Sequence, residues 1–352
     1  MSDWKFTWFT NWDKIMSDDF MSRWQQWIDN ADDPHVFYHP VMGKIWIETY
    51  LPLRKIQPLF CLAEQDDVKI FMPLVMWRRN WKNAFLKHII PLGYSDYDYN
   101  DPLVIGGPGG KNIDQFWEKL IADLKKKNPD KIEITGIRGG RVSGLHNWVK
   151  DVICPYIRID GYLDANDYVD KNFSKNSISE LKRRKRRLLE LGNYNFTTYA
   201  HTTICEAVLE LSDFLETHNQ RWPNAYKPPG YHRRLLQVGL KSGLVHFSVL
   251  KLSGVSISWR LGFIFRHRFY SYMPAFKTEY RKYGIGKLHL LYCIEQAMKN
   301  NCDIFDQLRG QEEYKNDFQS GYTTLIKYNI DFSSMKSNLK TTAVRLKKKV
   351  VK

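Results

Sequence analysis

The sequence predicts an α/β (α+β) fold in two halves, each a mixed, mostly antiparallel twisted sheet flanked by helices. Three observations carry this expectation. Amphipathic helical runs alternate with short β-rich runs along the 352 residues, a length better suited to two ordinary cores than to one. Three strand-like runs, 244–252, 255–265 and 268–276, follow one another across two-residue turns, which reads as an antiparallel meander. One order of features also occurs twice: a glycine turn, a helix, and a strand closing on Arg-Gly, first over 106–139 and again over 284–310.

Taken in order, DDFMSRWQQWIDNA reads as a helix, followed by HPVMGKIWIETYL and by strands QPLFCLAEQ and DVKIFMPLVMWRR. SDYDYNDPLVIGG is a Tyr- and Asp-rich loop. A glycine turn, the helix within PGGKNIDQFWEKLIADLKKKN and the buried strand DKIEITGIRGG complete the first half. The second half opens on the basic helix ELKRRKRRLLELG, with Leu181, Leu188 and Leu191 on one face, and the strand YNFTTYA. ICEAVLELSDFLETHNQRW is a helix and PPGYHRRLLQVGLKSG another. After the meander come a helix from about Lys287, the strand DIFDQLRG, a short helix EEYKNDF and the strand TTLIKYNI. The expected division is 1–160, 161–335 and a basic tail, 336–352.

A net charge of +15 calls for an anionic partner: nucleic acid, a membrane surface, or a substrate and cofactor carrying phosphates. The charge concentrates in 180–192 and in the tail, a basic amphipathic helix candidate suited to peripheral contact with an anionic membrane. Neither stretch interleaves aromatic residues as a single-strand platform would. The basic helix reads equally as a solvated face or as a phosphate-attracting one. No signal peptide or bilayer-spanning run is apparent, and the five cysteines (61, 154, 205, 293, 302) show no disulfide or zinc spacing. A cytoplasmic protein is expected, acting in solution or at the inner face of the membrane. No metal site is expected, and His35 and His39 read as an incidental pair.

The sharpest chemical signal is Arg281-Lys-Tyr-Gly284-Ile285-Gly286-Lys287, between the third meander strand and a helix. Free N–H groups and the dipole at a helix start attract anions. Glycines let backbone close on a pyrophosphate, and Arg281 and Lys287 add charge. His289 stands where a dinucleotide fingerprint needs its third glycine, and Leu288 where a Walker loop needs Ser or Thr, so both fail.

The remaining R-x-x-G-x-G pattern resembles the pyrophosphate loop of the GNAT superfamily of N-acetyltransferases. YMPAFKTEYRKYGIGKLHLL…FDQLRGQEEYK is similar to the tandem-GNAT acyltransferases of exopolysaccharide and cellulose biosynthesis, and IFMPLVMWRRN and GYSDYDYNDPL resemble that group's N-terminal domain. The resemblance spans nearly the whole chain and implies two tandem GNAT-like domains, with acetyl-CoA or another acyl-CoA as co-substrate. It implies a cofactor site of Arg281, Gly284, Ile285, Gly286 and Lys287, with the strand holding Met273, Ala275 and Phe276 along the pantetheine arm. It points to Tyr314 as the acid for the leaving thiolate and to Asp306, then His218, as the base. The plainer alternatives are an Asp306–Arg309 ion pair and a His218 that caps its helix or packs beside Trp222.

Arg309 and Lys315 are candidate holders of an anionic acceptor, and Arg221 and Trp222 join them as acceptor contacts. In the first half, Pro108 removes a donor from the glycine turn and no arginine precedes it, so this copy is expected to be degenerate. Asp96, Tyr97 and Asp98 are candidates for recognising an amino sugar or another amine acceptor, phosphorylated or nucleotide-linked, with a surface loop as the alternative. Two other functions stay open: a Fem-type transferase using aminoacyl-tRNA, and a non-catalytic basic module for nucleic acid or membrane.

Overall fold

The computed structural model describes residues 3–78, 86–107, 113–142, 147–225, 228–310, 312–318 and 320–332. Its strands are β1 (Lys5–Phe9), β2 (Lys55–Gln65), β3 (Val68–Arg78), β4 (His88–Pro91), β5 (Leu103–Ile105), β6 (Lys131–Arg138), β7 (Trp148–Arg158), β8 (Tyr194–Tyr199), β9 (Val245–Leu252), β10 (Val255–Phe265), β11 (Arg268–Phe276), β12 (Ile304–Asp306) and β13 (Gly321–Asp331). Its α-helices are α1 (Trp12–Ile15), α2 (Asp18–Asp29), α3 (Pro40–Tyr50), α4 (Ile113–Lys126), α5 (Ala165–Asn172), α6 (Lys175–Leu189), α7 (Ile204–Leu209), α8 (Leu211–Arg221), α9 (Tyr231–Arg234), α10 (Ile285–Lys299) and α11 (Glu313–Asn316). The fold is mixed α/β, and the chain divides into two compact units, Met1–Val152 with the segment from Thr324, and Ile153–Thr323.

In the first unit the sheet order is β1-β2-β3-β4-β6-β13, with β5 also on β3. Every pairing is antiparallel except β4 with β6, where His88 lies opposite Lys131. Aromatic residues of α2 and α3 cover the sheet. Trp24 donates from Nε1 to the Tyr38 carbonyl (2.9 Å), and Trp46 stacks on Tyr50 at 4.4 Å. Placing 161–335 in one domain does not survive, because β13 from Leu325 onward pairs with β6, opposite Arg138 to Lys131. Local pattern identifies a strand but not its distant partner.

The second unit has the order β8-β9-β10-β11-β12, followed by the end of β7, with Arg158 opposite Ile304. Its one parallel pairing is β11 with β12. Each unit thus holds a parallel pairing across a connection that contains a helix, β4 with β6 and β11 with β12, a pairing that the matched order of turn, helix and strand had not specified. The expected meander is β9-β10-β11. Its turns have positive φ at both central residues, Ser253-Gly254 (47° and 83°) and Arg266-His267 (45° and 55°), the handedness that suits twisted strands.

Helix α10 packs Leu290, Cys293, Ile294 and Ala297 against Phe269, Phe305 and α5. Helix α6 buries Leu188 and partly buries Ile178 and Leu181 as its inner face, whereas Leu191, expected on that face, is 48% exposed beyond the helix end. The expected helix 204–222 is broken at Glu210, whose carboxylate accepts from Trp259 Nε1 (2.9 Å) and pairs with Lys251 (2.9 Å). All five cysteines are free thiols. Among the described residues no helix is long and apolar enough to cross a membrane.

Candidate functional site

β12 pairs with β11 only at Arg268, Phe269 and Tyr270. Directly beyond, Ser271 and Tyr272 of β11 face the single Gly262 of β10, a β-bulge that bends the strand. Gly262 permits this close approach, since a Cβ there would lie 2.7 Å from the Tyr270 carbonyl oxygen. β11 stays paired with β10 as far as Phe276, while its other edge loses β12. A cleft of about 450 Å³ lies there, lined among others by Pro274, Ala275 and Phe276 of β11 and by Glu313, Tyr314 and Asp317.

The glycine loop forms one end of this cleft. A 3₁₀ segment, Thr278–Tyr283, leads into Gly284 (φ 68°, ψ 25°), which caps α10. The Gly284 carbonyl accepts from the N–H groups of Lys287 (3.0 Å) and Leu288 (3.1 Å). Those of Ile285 and Gly286 have no acceptor among the described residues, which leaves two donors at the positive end of a 15-residue helix. The helix therefore begins at Ile285, two residues earlier than expected. Ile285 buries its side chain beside Leu188 and Leu250, which anchors the loop. Gly286 lines the cleft, and a Cβ there would meet the Phe276 ring at 3.2 Å.

Five cations line the cleft: Arg184, Arg221, Arg260, Arg281 and Lys287. Arg184, from the basic helix α6, pairs with Glu180 (2.5 Å), and Lys287 pairs with Asp317 (2.5 Å). Arg221 lies over the rings of Trp222 (4.5 Å) and Phe276 (5.6 Å). Arg260 is 5% exposed and donates to Ser271 Oγ (3.1 Å) and the Gly286 carbonyl (3.1 Å). Ser258, beside it, donates from Oγ to the Ala275 carbonyl (3.1 Å). Its oxygen then accepts from His289 Nδ1 (2.8 Å), which leaves Nε2 to accept from Ser248 Oγ (3.0 Å). Burial, and then the Arg260 charge, hold His289 well below its ordinary pKa, so the ring is neutral.

Of the residues expected from sequence, the cleft gathers Arg221, Ala275, Phe276, Arg281, Gly284, Gly286, Lys287 and Tyr314. Met273 is buried with Sδ 3.2 Å from His232 Nε2. Asp306 is buried, pairs with Arg268 (3.1 Å) and accepts from the Leu308 N–H (2.9 Å). His218 stacks on Trp222 at 4.5 Å, as its plainer reading had it. Lys315 is buried, and its ammonium is taken by the carbonyls of Leu308 (3.3 Å) and Arg309 (2.7 Å) and by Glu312 (3.0 Å). It straps the loop after β12 and is not free to hold an acceptor.

In the first unit, Asp96 and Tyr97 lie inside the core, not at a recognition surface. Asp96 accepts from Trp46 Nε1 (3.0 Å) and Tyr50 Oη (2.7 Å), and burial raises its pKa to about 6 against those hydrogen bonds. Tyr97 donates to the Met42 carbonyl (2.7 Å), its ring so close to Gly93 that a Cβ would be impossible. Asp98 is half-buried. In the first glycine turn Gly106 (φ 88°) is needed because Asp67 O would lie 2.2 Å from a Cβ; Pro108, Gly109 and Gly110 lie outside the described residues. So does the tail, 336–352.

Arg184, Ser258, Arg260, Gly262 and His289 were not singled out from sequence as site residues. Arg260 left a trace, a lone cation in the apolar strand VSISWRLGFIF.

Residues 175–316 match the family model described as Acetyltransferase (GNAT) domain. No curated protein matches the chain. Among solved structures it is similar to FemX, with 8% identity over 88% of this chain and 96% of that one and a TM-score of 0.57. A conserved protein of unknown function from Bacteroides thetaiotaomicron VPI-5482 has 12% identity over 88% and 97%, with a TM-score of 0.56. A tandem GNAT protein from the clavulanic acid biosynthesis pathway has 10% identity over 93% and 98%, with a TM-score of 0.51. These likenesses establish fold. Residues 175–316, which carry the glycine loop and most of the cleft, thus resemble a GNAT acetyltransferase domain, in a chain whose fold is like that of tandem GNAT and Fem proteins.

Proposed function

We propose that the second unit is an N-acyltransferase that moves an acetyl or longer acyl group from acyl-CoA to an amine of a sugar or related polar acceptor, by direct attack, in polysaccharide or cell-envelope biosynthesis. One observation carries this reading: the unpaired edge of β11 opens beneath a helix start with two free N–H groups. Arg281, Gly284, Ile285, Gly286 and Lys287 would hold the pyrophosphate, and the edge from Met273 to Phe276 would pair with the pantetheine arm. Tyr314 is the candidate acid: its ring lines the cleft and its hydroxyl has no partner among the described residues. The acceptor, phosphorylated or nucleotide-linked or neither, would approach with its amine toward Tyr314. The site of action would be the cytoplasm, at the inner face of the membrane where the basic tail meets anionic lipid.

A Fem-type reading, with aminoacyl-tRNA as donor, is favoured by the likeness to FemX and by the charge of +15. Ligand-dependent melting separates the two. Acetyl-CoA is expected to stabilise the wild type and not an Arg281→Ala/Gly284→Val variant. A shift with aminoacyl-tRNA and none with any CoA thioester would replace the first reading by the second.

A further inference from the structure

Arg260 presents a charge problem that the fold leaves unsolved. Its side chain is 95% buried by the 5% exposure, yet no carboxylate pairs with it among the described residues. Burying a cation without a counter-charge is costly, comparable to breaking a buried ion pair by removing one partner. Its surroundings are neutral: Ser258, Ser271, the Gly286 carbonyl and an uncharged His289. A guanidinium has five N–H donors, and two hydrogen bonds are made, to Ser271 Oγ and the Gly286 carbonyl.

The remaining donors belong to a group that lines the cleft. The other cations there are differently placed. Lys287 and Arg184 are paired with carboxylates, and Arg221 rests on aromatic faces. Arg281 has no carboxylate partner among the described residues, but it is exposed. Arg260 alone combines burial, an unmatched charge and contact with the helix start, through the carbonyl of the residue whose N–H is free.

We propose that Arg260 is a ligand-binding residue that completes the phosphate site from beneath, supplying charge-assisted hydrogen bonds to a phosphoanhydride held at the N–H groups of Ile285 and Gly286. The two bonds it already makes orient it: Ser271 lies in the bulge that opens the cleft, and Gly286 lies in the first turn of α10. Ligand and arginine thus neutralise each other in a desolvated position, where such bonds are strongest. This rests on the acyl-CoA reading for the identity of the natural ligand, though not for the chemistry of the anion.

The test compares wild type, Arg260→Met and Arg260→Lys by melting temperature and by calorimetric titration with inorganic pyrophosphate, CoA and pantetheine. Arg260→Met should melt no lower than wild type without ligand, because it removes an unmatched buried charge. It should lose at least tenfold in affinity for pyrophosphate and CoA, with pantetheine unchanged and Lys recovering part of the loss. A purely structural clamp predicts the reverse, a lower ligand-free melting temperature with unchanged pyrophosphate affinity, and would overturn the proposal. CoA binding that is equal in all three proteins overturns it too, while leaving the acyl-CoA reading in place. Pyrophosphate binding that depends on Arg260, with no CoA binding in wild type, supports the anion site and removes the acyl-CoA reading. Failure of wild type to bind either phosphate ligand overturns both.

Discussion

Gly284 lies against Arg184 so closely that a Cβ on the glycine would come within 2.9 Å of the arginine Cδ. The two residues come from segments a hundred positions apart, the basic helix and the glycine loop. Their approach decides a question that composition left open: the basic helix is not merely a solvated face, because Arg184 forms part of the cleft wall. Leu188, one turn on, is buried with Ile285 and fixes the helix there.

Gly284→Ala should therefore fail twice over. Its φ of 68° costs an alanine about 1–2 kcal/mol, and the methyl group must displace Arg184. Chemical denaturation should show that loss of stability, and titration should show acetyl-CoA affinity reduced at least tenfold.

The ion pair between Lys287 and Asp317 engages the cation proposed to meet the phosphates. The two side chains are 35% and 49% exposed, so Asp317→Asn should change stability by less than about 1 kcal/mol. Freed of its partner, Lys287 should bind CoA more tightly, by a few-fold, and the gain should fade as salt rises. Unchanged affinity at low salt would show that Lys287 does not meet the phosphates.

Tyr314→Phe keeps the ring that packs in the cleft and removes the hydroxyl. If that hydroxyl protonates the leaving thiolate, kcat falls by about 10²-fold or more while the affinity for acetyl-CoA stays near wild type. Steady-state kinetics with free thiol detection reads both quantities.

Acid should destabilise the second unit through its buried histidines. His246 is held down to about 4 by burial, and neither ring nitrogen has a hydrogen-bond partner among the described residues. Because its folded pKa lies below the ordinary 6.5, the unfolded chain takes up the proton first. The stability associated with the neutral ring is present above pH 6.5 and is lost as pH falls toward 4, at about 1.4 kcal/mol per unit. His246→Phe keeps the edge contact with Phe269 and removes both unpaired nitrogens. It should stabilise the protein by about 1 kcal/mol at pH 7, and by more at pH 5. Urea denaturation at the two pH values checks the sign.

Much of the frame was legible before any coordinate. The alternation of apolar residues and the turn pairs Ser253-Gly254 and Arg266-His267 specify β9-β10-β11, because side-chain period and turn chemistry act within a few residues. The short strands β1, β4 and β5 and the whole of β7 were missed, being brief or bounded by weak turn signals. The site divides in the same way. R-x-x-G-x-G is a local device, a chain reversal into a helix start, and it stands where it was expected. Asp96 and Tyr97 looked like surface recognition residues because Asp and Tyr in a loop usually are. Trp46, Tyr50 and the Met42 carbonyl, some fifty positions away, draw both of them into the core.

The sequence by itself determined the two-fold plan of helix and strand, the meander and the glycine turn that opens a helix, since each depends on neighbouring residues alone. Only the tertiary structure decided that the last strand returns to the first unit, that Lys315 is bound to carbonyls, and that Gly262 admits the bulge opening the cleft. It also decided that Arg260 lies buried against the loop with no carboxylate partner among the described residues. Each of these depends on which distant segments pair and in what register, and on the water that such pairing removes from a charge.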